Sequence, residues 1–428
     1  MNVSRYTWDG EDPVSMAARI RALQPPLDDV APTVAEVIAD VRKRGDDALL
    51  ELEERFGGVR PAELRVEPGF LAEALDKLDP QVRESLEIAI HNVRAVAQAQ
   101  AAADPAELDL PQGQQVRVDT IPVRSAGIYA PGGRAAYPSS VVMGALAAQA
   151  AGVERIALAS PPGEDGRPND LVLAAAAACD ITEVYATGGA QAIAALAVGT
   201  SSIPPVDVIA GPGNQYVTEA KRQLMGRVGI DSLAGPSELM LVFGEDAPVE
   251  WAALDLCAQA EHGSDNLIVA CGLDSGRLNQ LALRMGEIAA AEYTTVGSAI
   301  FVFVELPDTD AAIRLADALA PEHLQLMCAD AELLARRVRT AGCVFSGSEA
   351  GTAFGDYVAG SNHVLPTGGA GRFSGPLGPD AFRRRISLVS LPGAAASDLA
   401  PHVDRLARAE GFPVHAQSAT ARARGEEP

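Results

Sequence analysis

The chain has 428 residues, 48% hydrophobic and 21% charged, the composition of a folded soluble protein long enough for two or three domains. Its 34 Lys and Arg stand against 57 Asp and Glu, and a formal net charge of −23 argues against nucleic acid or a membrane surface as partner and for a small molecule. The five cysteines, Cys179, Cys257, Cys271, Cys328 and Cys343, include no Cys-x-x-Cys pair, so neither a disulfide framework nor a thiolate zinc knuckle is encoded; with no cationic, apolar leader at the start, the expected location is the cytoplasm.

Residues 1 to about 120 read as broken helices. One stretch runs from Thr33 to Glu54 with its weak point at Arg44-Gly45-Asp46, and another from Leu71 to Ala103, amphipathic through Val82, Leu86, Val93 and Val96. His91 has no polar companions there and is taken as structural. After Val116 short apolar strands alternate with Gly-rich turns and helices: strands at 126–130, 155–159, 183–186 and 206–210, with Ser139 a candidate cap for a helix reaching Ala151. A second series places strands at 239–243, 267–271, 300–304, 323–327 and 343–345. Such β-α-β alternation predicts α/β architecture: two Rossmann-like, doubly wound parallel-sheet domains. From about Arg383 the pattern dissolves into Pro-, Gly- and Ala-broken pieces.

Doubly wound sheets bind ligands beyond the carboxyl ends of their strands, so the turns are the first place to look. No Gly-x-Gly-x-x-Gly fingerprint and no Gly-x-x-x-x-Gly-Lys loop occurs. Three turns ending at Gly133, Gly189 and Gly213 are either tight turns or seats whose free amides receive phosphate. Elsewhere, helical spacing turns Asp255, Gln259 and His262 one way (i, i+4, i+7). Four of six histidines, His262, His323, His363 and His415, fall in polar or Gly/Pro-punctuated stretches. Glu322-His323, emerging behind Pro321, is an adjacent carboxylate and imidazole suited to proton transfer, and Asp356, His262 and His415 offer oxygen and nitrogen ligands for a divalent metal, zinc by default.

These residues lie in phrases that resemble the histidinol dehydrogenase family: 188–200 (Gly-Gly-Ala-Gln-Ala-Ile-Ala-Ala-Leu-Ala-Val-Gly-Thr), 211–222 (Gly-Pro-Gly-Asn-Gln-Tyr-Val-Thr-Glu-Ala-Lys-Arg), 234–238 (Ala-Gly-Pro-Ser-Glu), 258–262 (Ala-Gln-Ala-Glu-His), 321–324 (Pro-Glu-His-Leu) and 355–369, which opens Gly-Asp-Tyr-Val-Ala-Gly-Ser-Asn-His. They occur in the family's order from about residue 20 to 416; Ser232, Gly263, Gly371 and Gly375 depart from it.

The resemblance implies NAD-dependent oxidation of L-histidinol through L-histidinaldehyde to L-histidine, with Glu322 and His323 as the acid-base pair. It implies zinc on Gln259, His262, Asp356 and His415, NAD contacts from Tyr129, Gln191 and Asn214, and substrate contacts from Ser237 and Glu410 as well as the zinc ligands and His323. It also implies a homodimer whose sites are shared between subunits. The corresponding domain plan is an N-terminal helical arm (1–30), a discontinuous Rossmann-like domain with the metal and catalytic residues (31–120 and 236–382), a Rossmann-like NAD-binding domain (121–235) and a C-terminal dimerisation tail (383–428). A relative that oxidises another polar alcohol, or a binding protein that has lost catalysis, are the rival readings; every catalytic and ligand position being filled weighs against the second.

Overall fold

In the computed structural model of the chain, residues 3–25, 29–102, 105–132, 135–291 and 299–423 are described. Contacts divide it into two units, Met1–Gln100 with Arg124–Phe382 and Ala101–Val123 with Arg383–Pro428.

The chain begins with β1 (Val3–Thr7), α1 (Pro13–Arg21), α2 (Ala31–Arg44), α3 (Asp46–Leu52) running into a π-helical turn (Glu53–Gly57), α4 (Pro68–Lys77) and α5 (Pro80–Ala101). The expected weak point at Gly45 separates α2 from α3, and Pro80 starts a new helix where one continuous helix was predicted. In the second unit lie β2 (Ala106–Asp109) and β3 (Gln115–Pro122). Then come β4 (Ser125–Tyr129), α6 (Pro138–Ala151), β5 (Arg155–Ser160), α7 (Asp170–Ala178), β6 (Glu183–Ala186), α8 (Gly189–Val198), β7 (Val208–Ala210), α9 (Gln215–Leu224) and β8 (Gly229–Ile230). Their strands make a parallel sheet in the order β6-β5-β4-β7-β8.

The second alternation is β9 (Glu238–Phe243), α10 (Val249–Ala260), β10 (Leu267–Gly272), α11 (Ser275–Ala291), β11 (Ile300–Glu305), α12 (Thr309–Leu319), β12 (His323–Met327), α13 (Ala331–Ala335), β13 (Cys343–Ser346) and α14 (Thr352–Tyr357). With β1 it builds a parallel sheet in the order β1-β11-β10-β9-β12-β13. The stretch read as an N-terminal helical arm therefore also supplies an edge strand, and Trp8, Met16 and Ile20 are buried against this sheet together with α12.

β4, β9 and β10 are buried over their whole length, as strands covered on both faces must be. Each fully buried Leu, Ile or Phe contributes roughly 1.5–3 kcal/mol relative to exposure. The face of the five-stranded sheet next to α8 and α9 is covered by Val34, Val37 and Val41 of α2 and Leu49 and Leu52 of α3. The sequence-based domain plan needs correcting here: α2 and α3 belong with the sheet of residues 125–230, because the apolar stripe at 34, 37, 38 and 41 is buried against Ile193, Leu196 and Ile209.

The second unit corrects the expectation that structure dissolves after Arg383. A long strand, β14 (Arg383–Ser390), pairs antiparallel with β3, and β3 with β2. α15 (Gly393–Ala409) and α16 (Pro413–Ala423) pack on each other. Ile386, Leu388, Val389, Leu406 and Val414 of this unit are exposed.

Candidate active site

The strand order reverses between β4 and β7 in one parallel sheet and between β9 and β12 in the other. At the first reversal the carboxyl ends of the strands carry the residues expected near NAD: Tyr129 closes β4, Gln191 lies in the first turn of α8 after β6, and Asn214 precedes α9 after β7. Gly211 is needed there for close approach, since its φ is +126° and a Cβ would lie 2.1 Å from the Tyr129 carbonyl oxygen.

The turn amides are less available than the sequence suggests. The Gly188 N–H donates to Glu53 Oε1 (2.7 Å), the Gly189 N–H to the Tyr129 hydroxyl (3.0 Å) and the Gly211 N–H to Asp231 Oδ2 (2.8 Å). Asp231 is also paired with the buried Lys221 (2.7 Å). Asn214 Oδ1 accepts from the N–H groups of Tyr216 (3.0 Å) and Val217 (3.2 Å), capping α9. Side chains of the protein thus already hold the amides of Gly188, Gly189, Gly211, Tyr216 and Val217. The Gly133 turn lies outside the described residues.

In the second sheet the cluster forms at the opposite, amino ends of the strands. Ala320 ends α12 in the left-handed region (φ +48°), and Pro321 directs the chain into β12, whose first residue is His323. The Glu322 carbonyl accepts from Cys343 N–H (2.9 Å), and a Cβ on Gly342 would sit 2.6 Å from that carbonyl oxygen, so the neighbouring backbone grips this position. α10 follows β9 and returns to the amino ends with Gln259 in its last turn; α14 follows β13 and returns with Asp356. The rule that ligands lie at carboxyl ends does not lead to this cluster, because the side chains expected to do acid-base and ligand work here sit where strands begin and helices finish.

Glu322 and His323 are both buried. Glu322 Oε2 accepts from Glu238 N–H (2.8 Å) and the carboxyl also from the Ser237 hydroxyl, but burial dominates and lifts Glu322 well above the usual carboxylate range. His323 Nδ1 lies 3.2 Å from the Glu238 carbonyl oxygen, which can only accept, so the proton belongs on Nδ1. Nε2 is left as the basic nitrogen, 3.8 Å from Asp356 Oδ1, and burial pushes the imidazole down to about 4. The Phe345 ring flanks it at 5.9 Å. Glu238 itself is clamped by Arg21 (2.6 Å) and by the Gly368 N–H (3.0 Å), so α1 and the loop after α14 both brace the backbone that orients His323.

The convergence expected of Asp255, Gln259 and His262 needs correcting. α10 ends at Ala260, so His262 lies in the turn beyond it and is exposed, while Asp255 Oδ2 accepts from Gln325 Nε2 (2.6 Å). Gln259 is buried, and among the described residues neither its Oε1 nor its Nε2 has a hydrogen-bond partner. An orphaned carboxamide is costly and suits a group that supplies what the protein does not. Burial raises Asp356 to about 6. Among the described residues no three His, Cys, Asp or Glu side chains gather into a metal cage by themselves. His262 imidazole and Asp356 carboxylate are of the donor types that zinc takes, and the orphaned Gln259 oxygen is a further oxygen donor. Glu410, at the end of α15, and His415, in the first turn of α16 with the Phe412 ring at 5.3 Å, are exposed residues of the second unit.

His363 Nε2 meets Ser139 Oγ at 3.0 Å, and beside it Asn362 Nδ2 donates to the Met143 carbonyl (3.2 Å). Ser139 therefore does not cap α6, whose cap position is Tyr137; it ties the start of α6 to the loop after α14. Sequence reasoning missed Glu53, Glu238 and Arg21. The available signal for Glu53 was its place at i+4 from the buried Leu49, a carboxylate on the apolar face of a helix.

The family model described as histidinol dehydrogenase matches residues 23–423. Histidinol dehydrogenase of Thermobifida fusca is 43% identical over 410 residues, covering 93% of each chain, and that of Nocardia farcinica 43% over 424 residues, covering 95% of each. The crystal structure of histidinol dehydrogenase from Elizabethkingia anophelis superposes with a TM-score of 0.91 at 29% identity, covering 99% of this chain and 98% of that one.

Proposed function

The chain belongs to the histidinol dehydrogenase family, and from that premise we propose that it oxidises L-histidinol to L-histidine by two successive hydride removals, with NAD and zinc. The observation that carries the proposal is the buried Glu322-His323 pair, with the basic Nε2 of His323 facing Asp356 and the unpartnered Gln259 on the neighbouring helix end.

A hydride can leave the alcohol carbon only as the hydroxyl proton is taken up, and His323 Nε2 is the free acceptor for that proton, held in this tautomer by the Glu238 carbonyl. The second oxidation needs water added to the aldehyde. Glu322, whose carboxyl is raised above the usual carboxylate range by burial and lies beside His323, is the group placed to draw a proton from that water. Gln259, His262, Asp356 and His415 would hold zinc, which would supply Lewis-acid chemistry toward the substrate. Tyr129, Gln191 and Asn214 would hold NAD, which would supply the hydride acceptor. Ser237, Glu410 and His415 complete the substrate contacts, and a homodimer brings the last two to the site of the partner subunit. A cytoplasmic location suits the five free cysteines.

Removing the metal tests the donor set. Chelation is expected to abolish NADH formation from L-histidinol, with recovery on adding zinc. Gln259→Leu, which fills the pocket without a donor, is expected to fold and lose stoichiometric zinc. Full zinc content in Gln259→Leu would remove Gln259 from the ligand set.

A further inference from the structure

We propose that Glu53 is a positioning residue of the NAD site: its carboxylate fills the anion seat at the start of α8 and fixes Gln191 and Tyr129 so that they meet a hydroxyl or amino group of the dinucleotide rather than its phosphate. This rests on the NAD reading above and adds a residue and a recognition chemistry to it.

Glu53 opens the π-helical turn after α3, an irregularity that recurs at functional positions. It is 2% exposed, and Oε1 alone accepts three hydrogen bonds, from Thr187 Oγ1 (2.7 Å), Gly188 N–H (2.7 Å) and Gln191 Nε2 (2.9 Å). A single oxygen that gathers a hydroxyl, a backbone amide and a carboxamide at a helix start does what a bound phosphate oxygen does at such a place. With that seat filled from within, the helix start has its anion already.

The orientation of two neighbouring groups follows. Gln191 Nε2 is committed to Glu53, so its carboxamide is not free to flip, and Oε1 is turned to the Gly189 side, where a Cβ on Gly189 would lie 2.9 Å away. Oε1 is an acceptor, which selects a donor such as a ribose hydroxyl or an adenine amine. The next amide, Gly189 N–H, donates to the Tyr129 hydroxyl, leaving the phenolic proton to be donated outward. One buried carboxylate thus sets the hydrogen-bonding sense of a whole turn.

The experiment compares three proteins by steady-state kinetics and by direct NAD binding. Glu53→Asp keeps the charge but withdraws it by one methylene from Thr187, Gly188 and Gln191, and is expected to raise the KM for NAD about tenfold or more, the scale of one charge-assisted hydrogen bond. The KM for L-histidinol and kcat are expected to move less than about threefold. Glu53→Gln, which retains an acceptor at Oε1 but removes the negative charge, is expected to raise the KM for NAD by less than Glu53→Asp does. If both KM values and the melting temperature shift together in Glu53→Asp, or if none shifts, the positioning role is overturned. If the parent enzyme binds no NAD, the cofactor reading fails, a result separate from any effect of the variants.

Discussion

Glu322→Gln is expected to slow oxidation of supplied histidinaldehyde by about 10²-fold or more while leaving the first hydride transfer, followed in a single turnover, much less affected. The two half-reactions differ in what they need. Alcohol oxidation requires loss of a hydroxyl proton but no water; aldehyde oxidation requires a hydrated carbon, and so depends on a base that activates water. Gln has the size of Glu and can still accept from the Glu238 N–H at the position of Oε2, but it cannot take a proton. His323→Asn is expected to slow the alcohol step as well, by about 10²- to 10⁴-fold, since it removes the free Nε2. Equal slowing of both halves by Glu322→Gln would recast Glu322 as a group that holds the Glu238 backbone and His323 in place.

The second large effect is all-or-none. His415→Asn and Glu322→Gln proteins are each expected to be nearly inactive, yet mixing them with subunit exchange is expected to restore activity. In a heterodimer with sites shared between subunits, one site combines an intact His415 with an intact Glu322, so an equimolar mixture recovers about a quarter of the parental activity. The exposed Leu388, Val389, Leu406 and Val414 on the unit that carries His415 support an interface there. No recovery despite demonstrated exchange would place His415 in the site of its own subunit.

Strands β4 to β13, except the two-residue β8, could be read to within a residue or two because each is a short apolar run near a Gly or Pro, and parallel strands buried on both faces advertise themselves in this way. β3 and β14 were passed over for the converse reason. Val116, Val118, Ile386 and Leu388 alternate with charged and polar residues, and the pairing partners of β3 and β14 lie hundreds of residues apart, so no local signal joins them. The Glu322-His323 pair and its entry from Pro321 were legible because a proline break followed by a strand is local chemistry. The bracing of that pair by Arg21 through Glu238 was not, since it joins α1 to β9 across more than two hundred residues. Asp255 shows the limit of helical periodicity: spacing puts it on the face of Gln259, but which partner it meets was decided by Gln325 on another element.

In the proposed reaction one buried pair, Glu322 and His323, serves both oxidations of a substrate that stays bound between them. The most direct test is the stoichiometry of a limited reaction: with excess NAD, the zinc-loaded enzyme is expected to form two NADH and one L-histidine for each L-histidinol consumed, with no free histidinaldehyde trapped by an added carbonyl reagent. One NADH per L-histidinol, with the aldehyde recovered by the trap, would contradict it.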